Sequence, residues 1–328
     1  MLVLSRVQTE ALLDIDALID ALASAMADLT AERASTPDRV AALVPEQEGL
    51  LAAMPGYLPS AKALMSKLVS LFPHNADSDL PTHQAVIVAF DPATGQPVAL
   101  LDGTAITAAR TGACSALSAR LLARPDSHVL AILGTGVQAR SHAYAMCRVR
   151  PIRQIRIAGR DQAKAAALAR ELARSLPAET MAATSYREAL RDADIACATT
   201  HATEPVIQRP WLAQGVHVTS VGYNPAGREV DDATIRDALV CVESRRAALA
   251  PFPAGSNDLL QPIHDGVITA EDVHAELGEL VAGSKPGRQR PDQITLYKSV
   301  GVAVQDAAAV ALVISAARSR SIGQEITL

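Results

Sequence analysis

The chain has little that would tie it to a metal, a membrane or a nucleic acid. Its four cysteines, Cys114, Cys147, Cys197 and Cys241, are isolated, with no CxxC pair and no histidine pair at zinc spacing. Cysteines so placed read as small buried hydrophobes of a reducing compartment. No uninterrupted apolar run reaches the roughly 18 residues that span a bilayer. The N-terminus, MLVLSRVQTEALLDID, meets carboxylates early and lacks the basic start of a signal peptide. Positive charge is in deficit as well: 30 Lys and Arg face 35 Asp and Glu, a net charge of -5, so nucleic acid is not an expected partner. Aromatic residues make up only 3%. The expected address is the cytoplasm.

What remains is the composition of an ordinary soluble enzyme, 49% hydrophobic and 20% charged, in 328 residues that have room for two cores. The chain is organised around residues 129–139, VLAILGTGVQA. A β-prone apolar run stops at Gly134-Thr135-Gly136, and a helical pattern begins at Val137. Strand, glycine turn and helix in this order suit a dinucleotide pyrophosphate. Gly134 permits the turn, Gly136 lets backbone approach phosphate, and the small Ala139 lets the helix lie close to the strand. The helix N-terminus offers unpaired N–H groups to the anion.

Before this stretch, residues 2–4 read as a short strand and 16–32 as an amphipathic helix carrying Leu18, Leu22, Ala25, Met26 and Leu29. Residues 37–75, broken by Pro45, Gly49, Pro55, Gly56 and Pro59, suit hairpins, with 63–71 a β-like run. Strands are expected at 85–90 and 98–101 around an Asp-Pro turn, and a helix at 107–123. From residue 128 the pattern alternates. Strands are expected at 128–133, 154–158, 195–199, 216–221 and 239–242, and helices most clearly at 137–148 and 161–176, the signature of a doubly wound parallel sheet. A loop, GSKPGRQRP, precedes a final apolar helix expected over 298–318. No internal repeat is visible.

Three cations stand out in the first part: Arg39, Lys67 and Arg110. A lysine inside an apolar strand is disfavoured without a partner, although a solvated edge-strand face would also accommodate it. Together the three would suit a carboxylate substrate, Arg by a planar bidentate grip and Lys as a titratable point charge. Arg160 follows the strand at 154–158. An arginine at that place accommodates a 2′-phosphate and favours NADP(H), whereas Asp161 turned inward would favour NAD(H). A solvated loop charge is the alternative for Arg160.

The GTGVQA turn, the upstream DGTAITAARTGACSA, the KLVS strand, LPTHQA at 80–85 and the downstream ITLYKSVGVAVQD together resemble the ornithine cyclodeaminase/mu-crystallin family. The resemblance covers almost the whole chain. It implies an α/β fold with a Rossmann doubly wound parallel sheet, here 118–297. An α+β substrate and dimerisation domain would be built from both chain ends, 1–117 and 298–328. It also implies an NAD(P)-dependent homodimer acting on a small amino or imino acid.

Carried over by position, Arg39, Lys67 and Arg110 match the family's substrate-carboxylate cluster, and His83 a pocket histidine. Gly134, Thr135, Gly136, Val137 and Gln138 match the phosphate turn, with Thr111 also on the cofactor side. Thr199 and Thr200 match positions beside the ribose and nicotinamide, Val221 and Gly222 the strand end nearest the ring, and Ser299 and Gly301 the segment that closes over it.

The departure is Asn224. The cyclodeaminase branch carries an aspartate after this strand's glycine, and an amide cannot serve as a general base at neutral pH. Asp231 and Asp232 open the next helix and are expected to cap it. The expectation is therefore a reductase of Δ1-pyrroline-2-carboxylate or Δ1-piperideine-2-carboxylate, giving L-proline or L-pipecolate. Lys67 and Asn224 would sit at the reacting centre. Ornithine cyclodeaminase is the first alternative, followed by an alanine dehydrogenase-like enzyme or a non-catalytic binder of a small ligand.

Overall fold

The structure is a computed structural model that describes residues 1–224, 226–251 and 254–327, except for the side chains of Ala76 and Asp77. The chain forms two compact units: unit 1, Met1–Arg110 with Val302–Leu328, and unit 2, Thr111–Gly301. The partition falls inside a helix, seven residues before the expected 117, and returns four residues after the expected 298.

Unit 1 begins with β1 (Leu2–Leu4), α1 (Arg6–Leu12) and α2 (Ile15–Thr30). Asp14 caps α2, accepting from the Ala17 N–H, and the expected stripe Leu18, Leu22, Ala25 and Met26 is fully buried. Then come β2 (Val40–Val44), β3 (Gly49–Leu58), β4 (Ala63–Leu71), β5 (His83–Phe90) and β6 (Pro97–Asp102). β2 to β6 form an antiparallel meander; β1 joins β6 in parallel. The predicted turn is present, with Asp91 accepting from the Ala93 and Thr94 N–H groups. Strand alternation points Met54, Met65 and Ile87 to the buried face. The helix α3 (Gly103–Leu122) starts four residues earlier than expected and runs through the unit boundary.

Unit 2 contains β7 (Val129–Leu133), α4 (Val137–Val149), β8 (Gln154–Ala158), α5 (Gln162–Leu172), β9 (Glu179–Ala182), α6 (Tyr186–Leu190), β10 (Ile195–Ala198), β11 (His217–Ser220), α7 (Asp232–Asp237) and β12 (Leu239–Val242). It ends with α8 (Arg245–Ala248), α9 (Asn257–His264), β13 (Val273–Glu276), α10 (Leu277–Val281) and β14 (Thr295–Lys298). All eight strands run parallel in the order β13-β12-β14-β11-β10-β7-β8-β9. The winding reverses between β7 and β10, and at such a switch point an open α/β sheet binds its ligand.

The last helix, α11 (Ala303–Arg320), returns to unit 1 and packs on α2, β3 and β4, and β15 (Gln324–Glu325) closes the sheet beside β1. The expected helix over 298–318 is thus corrected. Residues 295–298 form a buried central strand, and the helix begins only at Ala303, after Gly301 at φ 75°. A four-residue strand wholly buried in a parallel sheet shows no alternation, so its apolar character merged with that of the helix behind it.

Candidate active site

In unit 1, Lys67 lies on the buried face of β4, 2% exposed, which excludes the solvated-edge reading. Its partner is Asp306 on α11. Lys67 Nζ donates to Asp306 Oδ2 at 2.7 Å, and Arg110 Nε donates to Asp306 Oδ1 at 3.2 Å. Arg110 also donates to Gln305 Oε1 at 2.7 Å, the same oxygen that receives the Val302 N–H at the start of α11. Asp306 and Gln305 are fully buried. Burial pushes the Lys67 ammonium down to about 8. Asp306 opposes that shift, and the nearby Arg110 and Arg39 add to it. Burial works against the Asp306 charge too, but Lys67 and Arg110 outweigh it and hold the carboxyl below its ordinary value. Arg39, half-buried before β2, is therefore close enough to be felt by Lys67.

His83 is set apart. It opens β5 opposite Leu71, on the same sheet face as Lys67, with Nδ1 3.4 Å from Thr82 Oγ1. Lys67 pairs with Ile87, four residues along, so about 13 Å of strand separates the two registers.

In unit 2 the phosphate turn sits at the switch point. Gly134 has φ 123°, and a Cβ there would lie 2.5 Å from Thr199 Oγ1 and 2.7 Å from Thr199 O. Thr199 Oγ1 donates to Leu133 O at 2.9 Å, tying the ends of β7 and β10 together. Gly136 differs: a Cβ there meets nothing within 4 Å. It occupies the N-cap of α4 without a side-chain cap, so the helix presents its first N–H groups to open space. Val137 is exposed, Ala139 is fully buried, and the buried Gln138 Oε1 has no hydrogen-bond partner. An uncapped helix start, a glycine facing space and an orphaned amide oxygen fit a dinucleotide. Thr135 packs its methyl 2.8 Å from where a Gly159 Cβ would be. Arg160 is exposed beyond β8, while Asp161 Oδ1 accepts from the Ala163 and Lys164 N–H groups at 2.8 and 3.0 Å and so caps α5. Thr111 is buried in α3.

At the ends of β10 and β11 stands a carboxylate that the sequence reading passed over. Glu229, 2% exposed, accepts from Thr200 N (2.6 Å), Thr200 Oγ1 (2.7 Å), Ser220 Oγ (2.7 Å) and Gly222 N (2.8 Å). Val221 N donates to Ala198 O at 3.1 Å, extending the pairing of the same two strands. Lys298, at the end of β14, donates to Ser220 Oγ at 3.0 Å and Gly222 O at 2.8 Å and pairs with the buried Asp258 at 2.8 Å. The KSVG segment is held by a second buried carboxylate. Glu243 receives Ser299 Oγ at 2.5 Å, Val300 N at 3.2 Å and Gly301 N at 3.1 Å.

Asn224 is engaged within the protein. Its Nδ2 donates to His201 O at 3.1 Å and Ala202 O at 3.2 Å, and its Oδ1 accepts from Ala226 N at 2.9 Å. Both amide hydrogens are donated to backbone carbonyls, so the side chain pins one loop to another. Asp231 caps α7 as expected, accepting from Thr234 N at 3.0 Å.

Of the overlooked residues, Asp306 and Glu243 share one signal, a carboxylate within or directly after an apolar stretch, which Glu229 in its polar loop lacks. The same kind of signal singled out Lys67. Among the described residues no group of three or more His, Cys, Asp and Glu is placed to hold a metal, and no helix is long and apolar enough to cross a membrane.

Comparison with known proteins accords with this geometry. The model of the ornithine cyclodeaminase/mu-crystallin family matches residues 1–321. The Δ1-pyrroline-2-carboxylate reductase of Bacillus cereus is 34% identical over 328 residues, 99% of each chain. The ketimine reductase mu-crystallin of Mus musculus is 36% identical over 278 residues, 84% of this chain and 83% of its own. Among solved structures, the Thermococcus litoralis Δ1-pyrroline-2-carboxylate reductase in complex with NADH and L-proline superposes with a TM-score of 0.95 at 38% identity, covering 99% of this chain and all of that one.

Proposed function

The chain belongs to the ornithine cyclodeaminase/mu-crystallin family, and from that membership we propose that it reduces Δ1-pyrroline-2-carboxylate or its six-membered homologue to L-proline or L-pipecolate with NAD(P)H. The observation that carries the reading is the full-length likeness to a reductase whose structure holds NADH and L-proline. When bound, the nicotinamide supplies a hydride to C2 of the ring imine. The C2–H bond forms and the C=N π pair becomes the nitrogen lone pair.

Unit 1 supplies the grip. Arg39 and Arg110 hold the substrate carboxylate, and Lys67 holds its remaining oxygen. The Arg110 fork is already oriented by Asp306 and Gln305, so little rotamer freedom is lost on binding. The substrate reacts as an iminium, and excess positive charge nearby opposes that protonation. Asp306 offsets part of it, which lets a lysine and two arginines work close to a cationic ring. Asn224 weighs against ornithine cyclisation, because an amide already bonded to three backbone groups has no means of moving a proton.

Arg160 supports NADP(H) over NAD(H). It stands exposed at the tip of β8, and the acidic neighbour that would bind a ribose hydroxyl is committed to capping α5. Val40, Leu51, Leu68 and Val86 share the sheet face opposite Lys67 and are 67%, 48%, 37% and 45% exposed. A strip of this kind favours association, and a homodimer through unit 1 is the assembly we expect. Among the described residues the cysteines form no disulfide, in keeping with a cytoplasmic enzyme.

The test is direct. Mixing the protein with Δ1-pyrroline-2-carboxylate and NADPH or NADH should consume reduced cofactor and yield proline, faster with NADPH. No oxidation of either cofactor, alongside proline formed from ornithine, would overturn the proposal.

A further inference from the structure

Unit 2 has a buried carboxylate that the hydride-transfer scheme does not use, and its hydrogen bonds are unusual in that every one comes from a strand end. Glu229 Oε1 receives both the N–H and the hydroxyl of Thr200, just past β10, and Oε2 receives the Ser220 hydroxyl and the Gly222 N–H at the end of β11. The hydroxyl directions are settled by their other partners. Thr200 Oγ1 accepts from Ala202 N at 3.2 Å and Ser220 Oγ accepts from Lys298 Nζ at 3.0 Å, so each sends its own hydrogen to Glu229. The glutamate is itself anchored, its N–H donating to Asp258 Oδ1 at 2.8 Å. The fit around it leaves no slack: a Cβ on Gly222 would come within 2.5 Å of Glu229 Oε1.

We infer that Glu229 is the positioning residue of the nicotinamide end of the cofactor site: it holds Thr200 and Gly222 in fixed alignment across two strand ends without touching cofactor or substrate. The inference rests on the proposed reductase reading together with the family resemblance, which implies that Thr200 and Gly222 lie at that end. The chemistry requires a carboxylate specifically. Each of its oxygens faces a backbone N–H that cannot rotate away, so both must be acceptors. Glutamine has one oxygen and one amide nitrogen, and either flip sets an NH2 against Thr200 N–H or Gly222 N–H. A shape-preserving substitution therefore pries the two strand ends apart, while the phosphate turn on β7 and α4 is left alone. Displacement of a reacting group by about 1 Å costs on the order of 100-fold in rate.

The experiment compares wild type, Glu229→Gln and Ser220→Ala. The last removes one of the four bonds and keeps both backbone contacts, so it serves if Glu229→Gln does not fold. For each, NADPH affinity and the emission of its bound reduced ring are measured, followed by kcat, KM and the isotope effect with 4-deuterated NADPH on Δ1-pyrroline-2-carboxylate. Glu229→Gln should lower kcat on the order of 100-fold, and Ser220→Ala about 3-fold to 10-fold, with cofactor Kd within about 3-fold and a larger isotope effect in both. A loss of kcat matched by an equal loss of cofactor affinity, or kcat unchanged, would overturn the inference. If wild type itself reduces nothing, the reductase reading fails separately. Glu229 is then judged on the bound NADPH emission alone: altered in the variants at unchanged affinity it supports positioning, and unaltered it refutes it.

Discussion

In unit 1, two cations, Lys67 and Arg110, converge on a single carboxylate, Asp306, with Arg39 adding to the positive field. In unit 2 the proportion is reversed, and two carboxylates, Glu229 and Asp258, are arranged around Lys298. Both clusters are buried, so both bear the cost of removing charge from water, and each meets it differently. Around Glu229 every acceptor position is matched to a donor from the protein, which makes the cluster a rigid frame. Around Asp306 the cations outnumber the anion, which on the proposed reading leaves positive charge for an incoming carboxylate to balance. It is this imbalance, more than burial of charge, that the proposal takes as the mark of a site.

Substituting Lys67 should separate the two most sharply. Lys67→Met is expected to reduce kcat/KM on the order of 1,000-fold while leaving NADPH affinity within about 3-fold, because the phosphate turn belongs to the other unit. Equal losses in both would make Lys67 part of a frame, and a substitution without effect would indicate a binder instead of an enzyme.

Asp306→Asn comes next in size. It leaves two buried cations without their counter-charge and should destabilise the protein by about 3–5 kcal/mol in urea titration. The neutral form of Lys67 then gains. The fall in kcat/KM that wild type should show above about pH 8 is expected to begin lower in the variant and, in Lys67→Arg, higher. A limb that does not move in either variant belongs to the substrate nitrogen. The same lysine gives stability the opposite slope. Its folded value of about 8 lies below the ordinary 10.5, so the cost of the buried charge is fully present below pH 8 and is relieved as pH rises towards 10.5. Its contribution to stability improves across the window in which activity declines.

The smallest effect probes the rim of unit 2. Arg160→Glu should turn a preference for NADPH towards NADH by about 10-fold in kcat/KM, with Tm unchanged, since the side chain is exposed. An unaltered preference would return Arg160 to the status of a solvated loop charge.

Much of this was legible in the chain. The GTGVQA turn, the alternation from residue 128 onward and the antiparallel hairpins follow from local pattern, and they appear where periodicity and glycine chemistry put them. Lys67 was legible as an anomaly, a charge amid apolar neighbours, and Arg110 as a further cation carried by the family match. Their counter-ion was not, because Asp306 pairs with Lys67 across 239 residues of sequence and no local rule spans that distance. Glu229 was missed for a different reason. It lies in a loop, where an acidic residue is unremarkable, and only the convergence of two strand ends reveals its four donors. Asn224 was read as the loss of a base, and its hydrogen bonds to the backbone of two loops became visible only in three dimensions.

The long reach from Lys67 to Asp306 also sets an order of events during synthesis. Unit 2 is inserted within unit 1, so all of its strands are synthesised before α11. At about 5–20 residues per second, the strand bearing Lys67 waits on the order of ten seconds or more for residue 306. Through that interval the nascent sheet has a lysine on the face it must bury and no carboxylate to receive it. Unit 1 therefore cannot close early around an incomplete charge cluster, and the helix that finishes its core also delivers the group that makes Lys67 tolerable there.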